Sequence, residues 1–311
     1  MAQFTLLVPA GTELDVELPG EVEVVRYDVA EPIPDVGADA LVVWGNPPAH
    51  VKDAARSLTT LRWVQTLAAG PDVVLQAGFA PHVVLTSGRG LHDATVCEHA
   101  LALTLAVLRR VPEMVAAQRE RRWADELGGL KPLHDETAVR TLIGARVLVW
   151  GFGSIAARLA PVLTALGATV TGAATTAGVR HGFEVVSDVT PVLPQTDVLI
   201  SLLPDLPSTR GVLNAKVFSK LPKRAVVVNV GRGAVLDEAA LLKALSNGDI
   251  AGAALDVFVT EPLPSTSPLW ASPRLLISPH AAGGRPIGAG KLIAENVKAL
   301  LAGQPLKNLA R

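Results

Sequence analysis

Cysteine is all but missing from this chain: Cys97 is the only one in 311 residues. No internal disulfide can form, which fits a reducing compartment. Cys97 stands in an apolar, helix-like run with no metal-ligand spacing around it, and it reads as a small buried residue with no metal site implied. Aromatic residues are few, at 4%, and charged residues make up only 18%. With 28 Lys and Arg against 29 Asp and Glu the net charge is −1. No basic stripe is available to a nucleic acid or an anionic membrane surface, so neither is expected as a partner. Every apolar stretch is interrupted by Gly, Pro or a charge before the ~18 residues of a membrane span. The opening Met1-Ala2-Gln3-Phe4 lacks the basic start and apolar run of a signal peptide. The cytoplasm is the expected location.

Apolar residues, by contrast, make up 49% of the chain, and its length suffices for two domains of ordinary size. Short β-like runs alternate with helical patterns. Phe4–Pro9, Val22–Tyr27, Ala40–Trp44, Trp63–Thr66 and Val83–Thr86 read as strands, with helix-compatible stretches such as His50–Ser57 between them. A long helical segment, about Thr95 to Arg122, breaks near Pro112, and a polar, loop-like piece extends to about Arg140. A second series starts at Ala145–Trp150 and continues through Thr169–Gly172, Val198–Leu202, Ala225–Asn229, Ala251–Asp256 and Leu275–Ser278, and a C-terminal helix spans about Gly288 to Ala302. Two such series predict two doubly wound, parallel-sheet α/β domains of Rossmann-like kind, with a cleft between them at the carboxyl ends of the strands.

The strand at Val147 runs into Gly151-Phe-Gly153-Ser-Ile-Ala156 and then an apolar helix. This is a G-x-G-x-x-A turn: Gly151 for the tight bend, Gly153 for close approach of a pyrophosphate, and Ala156 for close helix–strand packing. The helix N-terminus supplies N–H groups and a positive dipole end. An NAD site places a carboxylate about 20 residues further on, on the ribose 2′-OH. Here that region reads Ala173-Ala174-Thr175-Thr176 and then Arg180, with no acid. Thr175, Thr176 and Arg180 suit a 2′-phosphate, which places NADP ahead of NAD.

Three polar residues end three later strands. Arg232 follows Asn229-Val-Gly231 and precedes Gly233, Glu261 follows the Ala253–Asp256 run, and His280 follows Ser278-Pro279. Hydride transfer to a ketone leaves an alkoxide that needs a proton. Histidine is the best donor near neutrality, a carboxylate beside it favours the protonated form, and arginine offers two parallel donors to a substrate carboxylate.

With these motifs in order, the sequence resembles the D-isomer-specific 2-hydroxyacid dehydrogenases. The matching stretches are Gly151–Ala156, Val228–Gly233, Asp256–Pro262 and Ser278-Pro-His280, together with Leu202–Gly211, Ser267–Trp270 and Val64–Gly70. The resemblance implies hydride transfer between NAD(P)H and a small 2-keto or D-2-hydroxy acid. It implies a flavodoxin-like substrate domain from residues 1–95 and 278–311, with a Rossmann domain over 96–277 inserted between. It carries over Arg232, Glu261 and His280 as the catalytic set. The substrate would meet Arg232, His280 and the backbone at Ala69 and Gly70. The cofactor would meet Gly151, Phe152, Gly153, Ser154, Ile155, Leu203, Pro204, Thr209, Val230 and Asp256, the last near the nicotinamide amide. It also implies a homodimer, and the segment Val96–Trp123 carries more apolar surface than one domain face needs.

Ala174 stands where the family usually has its ribose-binding acid, and Trp150 and the Gly283-Gly284 pair are also less usual. Two other functions share this fold. A formate dehydrogenase pairs its histidine with glutamine, whereas the partner here is Glu261. A nucleotide-sensing interaction protein is the other, and the intact Arg–Glu–His set weighs against it. Residues such as Trp44, Leu67, His82 and Arg89 are unranked candidates for the substrate's R-group, and the choice among glyoxylate, hydroxypyruvate and pyruvate-like acids stays open.

Overall fold

Leu6 and Val8 enter one hydrophobic core and Leu7 another, as the two-residue period of a strand requires. The strand, β1 (Phe4–Pro9), lies inside a five-stranded parallel sheet with β2 (Val22–Tyr27), β3 (Ala40–Val43), β4 (Trp63–Thr66) and β5 (Val84–Thr86). The order is β2-β1-β3-β4-β5, the flavodoxin-like arrangement. The helix Pro48–Ser57 covers one face through Val51 and Ala54, and Ala289–Leu301 covers the other through Leu292, Ile293 and Val297. A parallel sheet needs this double cover, and its inner strands β1, β3 and β4 are accordingly buried almost throughout, whereas the edge strand β2 carries the exposed Glu23 and Arg26.

This computed structural model describes residues 4–311. It separates into two units, Met1–His92 with Arg285–Arg311, and Asp93–Gly284. The second unit contains eight strands: β6 (Arg146–Trp150), β7 (Thr169–Ala173), β8 (Gly178–Arg180), β9 (Phe183–Val186), β10 (Val198–Ser201), β11 (Val226–Asn229), β12 (Gly252–Leu255) and β13 (Leu275–Ile277). Their order is β13-β12-β11-β10-β6-β7-β9-β8, and of these β8 alone is antiparallel to its neighbour. From β9 to β12 this is the dinucleotide-binding order, whose direction of growth reverses between β6 and β10. Val147, Val149, Val198, Ile200, Val226 and Val228 face the helices Asp93–Leu108 and Ser154–Ala165. Leu148, Leu199, Val227 and Leu255 face the helix Glu238–Asn247.

Three details differ from the sequence expectations. The long helical segment breaks at Arg109–Arg110, where Arg110 turns left-handed at φ 56°, and a new helix, Val111–Arg119, carries Pro112 in its first turn. Proline is tolerated there because its missing N–H would be unpaired anyway. The segment between Thr176 and Val198, to which the sequence assigns no strand, contains a hairpin, β8–β9, turning at His181 and Gly182 with φ 52° and 84°. The third is the C-terminal unit boundary, which falls after Gly284, whereas the expected one preceded Ser278. The cause is Asp256, whose carboxylate binds Ser278, Ala281 and Ala282 to the larger unit. Among the described residues no helix is long and apolar enough to cross a membrane.

Candidate active site

The glycine turn follows β6 directly. Gly151 has φ 101°, and a Cβ there would stand 2.8 Å from the backbone C and O of Leu202, so only glycine fits. Gly153 is different: a Cβ there would meet nothing within 4 Å. That open space lies at the N-cap of Ser154–Ala165, where the N–H groups of Ser154, Ile155 and Ala156 have no partner within the helix. A cradle of this kind fits a pyrophosphate. Phe152 contributes backbone only, since its ring is buried against Gly172 and lies 6.0 Å from that of Phe183.

Around this turn, Leu203 and Val230 are buried. Thr209 fastens the loop after Leu203 by donating to the Pro204 carbonyl at 2.5 Å and accepting from the Leu206 N–H at 2.9 Å. At the end of β7, Ala174 gives its N–H to Val186, and Thr175 and Thr176 are exposed. Arg180 reaches back from β8 to Thr176, with Nη2 2.6 Å from Oγ1 and 3.1 Å from the carbonyl. The guanidinium is therefore held at the tip of β7, beside the position a ribose-binding acid would occupy.

Arg232 is half-buried after β11, with Nη1 2.9 Å from the Gly231 carbonyl. Its turn is clamped by Asn229, which is fully buried, donates to the Arg232 carbonyl at 3.0 Å and accepts from the Gly231 N–H at 3.2 Å. A Cβ on Gly233 would lie 2.0 Å from the backbone C and O of Phe258, so glycine alone lets this turn approach the next loop. That loop carries Glu261, whose Oε1 accepts the Phe258 N–H at 2.8 Å and whose Oε2 lies 2.7 Å from Nδ1 of His280. The Glu261 hydrogen bond raises the His280 imidazole above its ordinary value, against the opposing effects of burial and the Arg232 charge. For Glu261, burial raises the carboxyl, but the His280 bond, the Phe258 N–H and the His280 and Arg232 charges together hold it below the usual range. Arg232 is thus close enough for its field to act on both partners. Among the described residues Nε2 of His280 has no protein hydrogen bond, and the side chain is 48% exposed.

His280 itself sits at φ 53°, a left-handed conformation that a non-glycine residue adopts only when held. Asp256 holds it. The Asp256 carbonyl accepts the His280 N–H at 2.8 Å, Oδ1 accepts from Ser278 Oγ at 2.6 Å and Ala281 N–H at 2.8 Å, and Oδ2 accepts from Ala282 N–H at 3.1 Å. The side chain is 1% exposed. The carboxylate is closed in by protein donors and holds the turn that carries His280. Nε2 of His99, on the helix Asp93–Leu108, completes the cluster, 2.8 Å from Ser278 Oγ and 3.1 Å from Asp256 Oδ1. Sequence reasoning missed Asn229 and His99. A lone Asn closing a valine-only strand is a usable signal for the first; for the second there is none. In the smaller unit, Ala69 and Gly70 follow β4 and are half-buried. The preceding Leu67 accepts from His92 Nε2 at 2.8 Å, and Ala68 accepts from Gly88 N–H at 2.7 Å. Trp44 lies 5.1 Å from the His92 ring, whereas His82 and Arg89 are exposed.

Fold and site together define a dehydrogenase built on a dinucleotide-binding sheet. The sequence profile described as D-isomer specific 2-hydroxyacid dehydrogenase, NAD binding domain, matches residues 101–282. The chain belongs to that family. It is 35% identical over 285 residues to a glyoxylate/hydroxypyruvate reductase A of Serratia proteamaculans, covering 88% of this chain and 86% of that one. Among solved structures, an NADPH-dependent glyoxylate/hydroxypyruvate reductase from Sinorhizobium meliloti, in complex with NADP and sulfate, superposes with a TM-score of 0.81 at 27% identity, covering 98% of this chain and 97% of that one. A D-isomer specific 2-hydroxyacid dehydrogenase from Xanthobacter autotrophicus, in complex with NADPH and MES, does so with a TM-score of 0.81 at 31% identity, covering 100% and 98%.

Proposed function

We propose that this enzyme reduces a small 2-keto acid to the D-2-hydroxy acid with NADPH, and that its larger unit carries the cofactor and the chemistry. The observation that carries the reading is the His280–Glu261 pair, 2.7 Å apart, with Nε2 of the imidazole exposed and the Arg232 charge acting on both. Glu261 accepts at Nδ1, so that nitrogen keeps its proton and Nε2 is the one that exchanges. The Nε2–H of His280 protonates the carbonyl oxygen, and Arg232 orients the substrate carboxylate. When bound, the dihydronicotinamide supplies the hydride. The Serratia and Sinorhizobium relatives point to glyoxylate and hydroxypyruvate as the first acids to try.

The cofactor preference rests on Ala174 at the tip of β7 and on Arg180 fixed beside it by Thr176. The open space at Gly153 and the N-terminus of Ser154–Ala165 would hold the pyrophosphate. A cytoplasmic site of action is supported by the lone, buried Cys97 and by the use of reduced nicotinamide.

We also propose a homodimer, through the second half of the segment Val96–Trp123 and the residues just beyond it. The helix Asp93–Leu108 is absorbed by its own core. Exposed apolar side chains instead follow it: Val111, Met114 and Val115, then Trp123 at 87% and Leu130 at 107%. A second copy covering this run is the occupant we assign.

The decisive experiment is oxidation of NADPH and NADH by the purified chain with glyoxylate, hydroxypyruvate and pyruvate. Turnover of at least one acid is expected; none with any of the three, under either cofactor, overturns the reading.

A further inference from the structure

We propose that His99 is a positioning residue for His280, acting through Ser278 and Asp256 on the turn that carries the imidazole. The inference rests on the proposed role of His280 as proton donor.

The donor arrangement follows from counting protons. An ionised carboxylate only accepts, and a hydroxyl has one proton to give. Ser278 directs that proton at Asp256 Oδ1, 2.6 Å away. Its oxygen therefore accepts from His99, and the proton must sit on His99 Nε2. The same N–H is shared with Asp256 Oδ1 at 3.1 Å. Ser, His and Asp are the residue types of a nucleophilic triad, but this order is wrong for one. The serine proton points to the carboxylate, and Ser278 is only 7% exposed.

The cluster instead stabilises a backbone shape. Asp256 receives donors from Ser278, Ala281, Ala282 and His99, and its carbonyl takes the His280 N–H. His280 is held left-handed at φ 53° within this grip. Without the His99 donor the buried carboxylate is under-satisfied and Ser278 gains a free acceptor, so the turn has reason to rearrange. His99 is firmly mounted, because it lies mid-helix between Val96 and Ala100, which pack into the core of the larger unit. A shift of well under an ångström in the imidazole is costly in a proton transfer.

The test compares His99→Leu, which removes the donor, with His99→Gln, whose side-chain amide restores one. In the full-length enzyme, His99→Leu should lower kcat at least ~10-fold, with the keto-acid KM and the NADPH Kd within about twofold of wild type. His99→Gln should recover most of the loss. A second readout needs no substrate: NMR titration of the His280 imidazole in the cofactor-free protein. His280 should titrate lower in His99→Leu, as it moves from Glu261, and near the wild-type position in His99→Gln. If wild type reduces no keto acid, the proposed function fails while this titration still decides the present inference. An unchanged His280 titration in His99→Leu overturns it. So does an equal loss of activity and of Tm in both variants, which is the mark of a merely structural histidine. Should His99→Leu not fold, Ser278→Ala is titrated in its place, and an unchanged His280 there overturns it equally.

Discussion

Glu261 and His280 are joined through Nδ1, at 2.7 Å, while the second oxygen of Glu261 is fixed by the backbone N–H of Phe258. The carboxylate is thus oriented before the imidazole meets it, and the imidazole presents Nε2 outward. This one-sided engagement gives the pair a chemical direction, with the proton store at Nε2 and the anion that stabilises it behind the ring.

The pH dependence of catalysis should follow from that pair. Glu261 raises His280, so the protonated form required for keto reduction persists to higher pH than for an ordinary imidazole. The rate is held below the raised pKa and lost as pH rises through it. Replacing Glu261→Gln removes the anion, so the alkaline limb of the kcat profile should move to lower pH, and the reverse reaction, which needs neutral His280, should gain its base form at lower pH as well. An alkaline limb that does not move would show that Glu261 is not the partner that matters.

Arg232→Lys keeps the charge but loses the forked pair of donors. One charge-assisted hydrogen bond is worth ~1.5–3 kcal/mol, so kcat/KM should fall at least ~10-fold. Asn229 clamps the turn from below, and Arg232 stays half-buried, so Tm should change little. Wild-type kinetics in this variant would remove Arg232 from the site.

Much of this was legible in the chain itself. β1 and β2 begin and end at the residues the alternating pattern marked, Phe4–Pro9 and Val22–Tyr27. Arg232, Glu261 and His280 stood out because polar residues ending apolar strands are conspicuous. What stayed hidden depends on long-range geometry. His99 meets Ser278 across 179 positions, and helical periodicity cannot say which strand end a helix face will touch. The β8–β9 hairpin was hidden for a local reason: a three-residue strand, Gly178–Arg180, is too short to show a period. Its turn uses His181-Gly182 where Asn-Gly would have announced it. Only the folded turn likewise reveals the four donors that Ser278, Ala281, Ala282 and His99 bring to Asp256.

Two glycines two residues apart should respond in opposite ways. Gly151→Ala must adopt φ 101° and place a methyl 2.8 Å from the Leu202 backbone. Strain and overpacking at ~1–3 kcal/mol each predict a clear fall in Tm. Gly153→Ala meets nothing within 4 Å and has φ −104°, so Tm should stay near wild type. Its methyl would instead occupy the space assigned to the pyrophosphate, and NADPH binding measured by fluorescence should weaken at least ~10-fold. Unimpaired NADPH binding by Gly153→Ala would place the dinucleotide elsewhere.

The dimer is expected at micromolar concentration in sedimentation. Charging the exposed run with Met114→Asp and Trp123→Asp together should yield monomers, since both side chains are open to solvent in the single chain and like charges would meet across a two-fold interface. A monomeric wild type would refute the assembly.

Cofactor selectivity is the sharpest test of the strand-end reading. The tip of β7 offers no carboxylate, and Arg180 stands there anchored to Thr176 Oγ1 at 2.6 Å. A 2′-phosphate would find a cation and two hydroxyls, and no acid between Ala173 and Gly182 to repel it. NADPH should therefore bind at least as well as NADH. Ala174→Asp supplies an acceptor for a ribose 2′-OH and repels a phosphate, so it should swing the ratio of kcat/KM toward NADH by at least ~10-fold, the worth of one charged hydrogen bond. Arg180→Ala should weaken NADPH and leave NADH untouched, because only the phosphate needs the guanidinium. It should leave Tm nearly unchanged too, since among the described residues the Arg180 side chain bonds to Thr176 alone, on an edge hairpin. Parallel titrations of the wild type and both variants with the two reduced cofactors decide the matter. A wild type that strongly prefers NADH would overturn the assignment of this corner, while the Arg232, Glu261 and His280 chemistry would stand unaffected.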